Sequence, residues 1–88
     1  MDASSARKQF NNSDQLFRQG RYAEALTLLL QLNQVFQNNK DILYAMALCM
    51  KELGRNEDAK RICHDLIRRF GHPKAKTLLA HIETAGPM

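Results

Sequence analysis

The chain has 88 residues, 44% of them hydrophobic and 25% charged, with two prolines, four glycines and a formal net charge of +4. That length allows one domain with a small core, and the composition excludes a disordered chain while leaving few turn residues for a β-sandwich. An all-α fold follows, and the longest apolar runs, Leu28 to Leu30 and Ile42 to Met50, fall far short of the ~20 residues that span a bilayer.

Residues 1–5 are small and polar and read as a flexible N-terminus in which Ser4 and Ser5 suit a helix cap. Met1 to Lys8 mixes charge and polar groups without an apolar stretch, so no secretory leader is read and a cytoplasmic setting is expected. A first helix is predicted over about Ala6 to Gln19, with Phe10, Leu16 and Phe17 as its large apolar residues, ending at Gly20. The second, about Tyr22 to Phe36, repeats apolar residues at helical spacing through Ala25, Leu28, Leu29, Leu32, Val35 and Phe36. Gln37 to Lys40 is a polar break in which Asn38 or Asn39 can cap a third helix, about Asp41 to Leu53, which stops at Gly54. Asn56 is the expected cap of a fourth helix, about Glu57 to Phe70, with acids in its first turn and Arg68 and Arg69 in its last. Gly71-His72-Pro73 reads as a turn, with His72 as a cap and Pro73 opening a last helix whose stripe is Ala75, Leu78, Leu79 and Ile82. Residues 85–88, with Gly86-Pro87, are expected to be a flexible C-terminus.

Gly20-Arg21-Tyr22-Ala23-Glu24-Ala25 returns 34 residues later as Gly54-Arg55-Asn56-Glu57-Asp58-Ala59. Self-similarity at that period, with a Gly at each turn, marks stacked helical hairpins. Leu43, Met46, Ala47 and Met50 fit the first helix of a tetratricopeptide unit, and Ala59 and Cys63 fit its second helix. In the earlier unit Ala25 and Leu29 match the second-helix pair, and Ser13 and Leu16 match first-helix sites. The chain thus resembles the tetratricopeptide repeat family. Gln9 and Asn12 depart from it, standing where the family places large apolar side chains, and Leu79-Ala80 arrives 33 residues after Met46-Ala47. The resemblance implies an all-α, right-handed superhelix of antiparallel hairpins with five helices: one repeat over 6–39, a second over 40–72 and a capping helix over 73–84. Its structural positions are Gly20, Ala25, Leu29, Ala47, Gly54 and Ala59.

In that family the leading helices line a concave groove. The resemblance places Phe10, Asp14, Phe17, Arg18, Tyr44, Leu48, Lys51 and Leu78 there, with Arg7, Asn11, Asp41, Ala45, Glu52 and His81 beside them. Such a surface suits a protein or peptide partner, an amphipathic helix or an apolar segment, as in an adaptor or small chaperone. A clamp for chaperone C-terminal carboxylates is disfavoured, because most of its sites hold Phe10, Asp14, Tyr44, Ala45 and Leu48. Two units are fewer than the about three that stacking needs, which makes a homodimer a further expectation.

Residues 51–76 hold eight of the thirteen Lys and Arg, so the alternative reading is an acidic partner or nucleic acid at Lys60, Arg61, Arg68, Arg69, Lys74 and Lys76. Interspersed acids make nucleic acid the weaker choice. Cys49 and Cys63 sit in apolar stripes and read as buried, reduced thiols. Cys63 and His64 diverge by about 100° around a helix and form no nucleophile and base pair. Neither the His and Cys spacings nor any Gly-rich loop suggests a metal, a cofactor or an enzyme.

Overall fold

A computed structural model of the chain describes residues 2–84. Five helices follow one another: α1 (Ala3–Arg18), α2 (Tyr22–Val35), α3 (Lys40–Glu52), α4 (Asn56–Phe70) and α5 (Pro73–Thr84). No strand occurs among the described residues. The expected C-terminal break at Gly86-Pro87 lies outside them.

The first helix begins earlier than its serines suggest. The Asp2 carboxylate accepts the Ser5 backbone N–H at 2.7 Å, which caps the helix from Ala3, so Ala3 to Ser5 are helical. That same backbone bond holds the Asp2 carboxyl below the usual carboxylate value.

The two Gly-Arg turns share one geometry. Gly20 and Gly54 both have φ of +80°, a conformation that a Cβ disfavours. After each, the Arg backbone N–H reaches back to close the preceding helix: Arg21 to the Leu16 carbonyl at 2.9 Å, Arg55 to the Met50 carbonyl at 2.8 Å. The two guanidinium groups then pair with an acid in the next first turn, Arg21 with Glu24 at 2.6 Å and Arg55 with Asp58 at 2.9 Å. This corrects the expected capping by Asn56. Arg55 holds the cap position without a side-chain cap bond, and Asn56 is already helical. Asn39 does cap as expected, accepting the Asp41 and Ile42 N–H groups at 2.9 and 3.1 Å. Its neighbour Asn38 takes a left-handed φ of 66° and accepts a bond from Arg69 at 2.6 Å, tying the end of α4 to the turn between α2 and α3.

Each helix packs on the next, α1 on α2, α2 on α3, α3 on α4 and α4 on α5, and α5 also touches α3. The Cα extents are 43 × 29 × 17 Å. The thin dimension holds two layers of helices about 10 Å across, with no third layer above them. The repeat positions Ala25, Leu29, Ala47 and Ala59 are all buried, joined by Leu32, Cys63, Leu66 and Ile82. The small side chains let neighbouring helices approach, and the large ones fill the space between. Leu26 and Ile42 are core residues that the periodicity did not single out, Cys49 is buried as its stripe implied, and Leu43 is only partly buried. Val35, read as part of the buried stripe, is 52% exposed, because α2 ends at that residue.

Gln9, which departs from the family pattern, is a polar tie between helices. Its side-chain amide donates to the Leu28 carbonyl and to Gln31 Oε1, both at 3.1 Å. Ser13 is buried and donates to the Phe10 carbonyl at 2.6 Å, so its hydroxyl is satisfied within its own helix.

Candidate functional site

α1 and α3 face the same hollow, a groove of about 540 Å³. Phe10 and Asp14 enter it from α1, and Asp41, Tyr44, Ala45 and Leu48 from α3. Its far end is closed by the end of α4, the turn and the start of α5, through Phe70, His72, Pro73 and Lys74. A deeper recess of about 130 Å³ shares Phe10, Asp14, Ala45 and Leu48 and continues to Phe17 and Leu29.

Helical spacing explains why these residues meet. Ile42, Met46, Cys49 and Met50 turn into the core, which leaves Tyr44 and Leu48, one turn apart, partly buried on another face. Tyr44 is held by His72: the rings stack with centroids 5.1 Å apart and planes inclined by 22°. Burial, together with the neighbouring Cys63, raises the Tyr44 phenol above its ordinary value. His72 is fixed in turn, because its Nδ1 accepts the Ala75 N–H at 3.1 Å and its carbonyl accepts the Lys76 N–H at 3.2 Å.

Four of the residues expected in the groove, Phe10, Asp14, Tyr44 and Leu48, therefore line it together. Phe17 lies in the recess, edge-on to Tyr22 with centroids 5.0 Å apart, so part of it is spent joining α1 to α2. Arg18 lies beside the groove and pairs with Asp14 at 3.1 Å. Lys51 pairs with Glu52 at 3.5 Å and does not line the groove. Leu78 is a correction. It is 4% exposed and belongs to the core, because the short α5 turns its whole stripe of Ala75, Leu78 and Ile82 inward. The end wall of Phe70, His72, Pro73 and Lys74 was not expected. Its signal in the chain, the His-Pro turn, is readable as a helix start but not as a wall.

The basic residues of α4 each lie beside an acid of the same helix. Lys60 pairs with Glu57 at 3.6 Å and Arg61 with Asp58 at 3.9 Å, and Arg68 and Arg69 share Asp65 at 3.4 and 2.9 Å. Arg69 also lies over the Phe70 ring, 5.3 Å from its centroid. Lys74 belongs to the groove wall and Lys76 is exposed on α5.

Cys49 and Cys63 are buried and unpaired. Desolvation pushes the Cys49 thiol up to about 11 and raises Cys63 as well, so neither is activated as a nucleophile. Among the described residues no three His, Cys, Asp or Glu groups gather as a metal site requires. No described helix is long and apolar enough to cross a membrane.

Antiparallel hairpins stacked in one layer pair, with leading helices sharing a hollow, define a helical-repeat protein. The model of the tetratricopeptide repeat matches residues 16–82, and the chain belongs to that family. The family's general role is protein–protein interaction, and its repeats are typically not catalytic. A comparison with curated proteins finds no match.

Proposed function

We propose that the chain is an adaptor or small chaperone that docks the apolar face of an amphipathic helix from a partner protein in the groove between α1 and α3. The observation that carries this reading is the apolar lining of Phe10, Tyr44, Ala45 and Leu48, accompanied by charges of both signs, Asp14 from α1, Lys40 and Asp41 from α3 and Lys74 from α5. A helix presenting apolar side chains at i, i+3, i+4 and i+7, flanked by charged residues of both signs, matches that lining. The buried, unpaired thiols suit a reducing setting, so a cytoplasmic location forms part of the proposal.

Tyr44→Asp combined with Leu48→Asp tests the reading. The probe is a fluorescent synthetic amphipathic helix of Leu, Lys and Glu, with the same variant as control in affinity capture from native extract. Peptide binding and capture are lost while circular dichroism stays helical. A folded double variant that captures the same proteins and binds the peptide equally well refutes the proposal.

A further inference from the structure

We propose that His72 is an acid-operated latch on the end wall of the groove: the neutral ring caps α5 and braces Tyr44, and protonation releases both. The inference rests on the docking reading above and names how that site is regulated.

The geometry requires the neutral ring. Nδ1 accepts the Ala75 N–H at 3.1 Å, which an imidazole does only through an unprotonated nitrogen. In this tautomer the proton is on Nε2. A second proton turns Nδ1 into a donor aimed at another donor, beside the first turn of a helix, where exposed N–H groups already carry partial positive charge. The cap is then lost. The same ring is stacked on Tyr44, 5.1 Å away, so freeing it removes the brace from the residue at the centre of the groove floor.

The groups around His72 leave this local contact to set the sign. Asp14 from α1, Lys40, Asp41 and the Tyr44 phenol from α3, and Lys74 from α5 line the same groove, and α4 contributes the uncharged Phe70. These charges are of both signs, and Asp14 is already paired with Arg18, so the contact at the cap itself sets the sign. An added positive charge on the wall also makes an apolar partner costlier to seat. Acid therefore loosens the wall and weakens docking.

Amide NMR on the whole chain between about pH 8 and pH 5.5 tests the latch. In the native protein the Ala75 protection factor falls on the order of fivefold as His72 protonates, with Tyr44 ring signals shifting at the same midpoint. His72→Asn keeps a capping acceptor that does not titrate, and there both responses disappear while the helices persist. The Leu, Lys and Glu peptide should bind the native protein several-fold more weakly in acid and bind the variant with no such change. An Ala75 protection factor indifferent to His72 protonation overturns the latch, as does an identical response in His72→Asn. Peptide binding without the Ala75 response removes the latch and keeps the docking site. The Ala75 response without peptide binding at any pH removes the docking site and leaves the latch as a property of the fold.

Discussion

The phenol of Tyr44 and the imidazole of His72 lie nearly parallel, with centroids 5.1 Å apart, and so couple the middle of α3 to the turn that opens α5. Stacked aromatic pairs contribute about 0.5–1.5 kcal/mol beyond the area they bury. A double-mutant cycle of Tyr44→Ala and His72→Ala, read by urea unfolding, should return a coupling of that size. A coupling near zero means that the rings are neighbours without being partners.

Gly20→Ala and Gly54→Ala should each destabilise by about 1–2 kcal/mol, and by similar amounts. A Cβ at either position meets no atom within 4 Å, so the cost is that of holding an L-residue at a φ of +80°. Thermal unfolding measures it, with about 4–8 °C lost per kcal/mol in a domain of this size.

The two candidate caps give opposite expectations. Asn39→Ala removes bonds to the Asp41 and Ile42 N–H groups and should cost about 1 kcal/mol. Asn56→Ala lies inside α4, makes no cap bond and should change stability by less than about 0.5 kcal/mol. Denaturant midpoints of the two variants separate them.

Space is tightest where the hairpin helices touch. Ala47 is fully buried, so Ala47→Leu should cost about 1–3 kcal/mol through overpacking, or prevent folding. Leu30 is 41% exposed, and Leu30→Ala should stay within about 0.5 kcal/mol. Urea titrations of both variants check the contrast.

The thiols predict alkaline behaviour. Burial raises Cys49 from 9.0 to about 11, so between those values the unfolded chain has released a proton that the folded chain keeps. Stability from this group is intact below pH 9 and declines as pH climbs towards about 11. Cys49→Ala should flatten that decline in urea midpoints. In the native protein both thiols should resist an aromatic disulfide reagent at pH 8 until denaturant is added.

Much of the fold was legible because its causes are local. The recurring Gly-Arg pair encodes a left-handed turn and a first-turn ion pair, and both are made within a few residues of where they are written. Asn39 and the His72 cap were readable for the same reason. Residues whose partners lie elsewhere in the chain were not. Leu78 had the right spacing for a groove residue, yet the lone α5 buries it against α4 and α3. Phe70 and His72 became a wall only when the turn folded back on Tyr44. Val35 was apolar by type but fell at a helix end, and Asp2 outcompeted the serines as a cap because its carboxylate reaches the Ser5 amide.

Every ion pair among the described residues joins positions no more than four apart along the chain. Charge therefore firms up individual turns, whereas the seating of one helix upon another is left mainly to aliphatic contour and a few hydrogen bonds, one of them from the Arg69 guanidinium to Asn38. A molecule assembled on that plan can have its outer charges redrawn, or be moved into brine, and still keep its hollow.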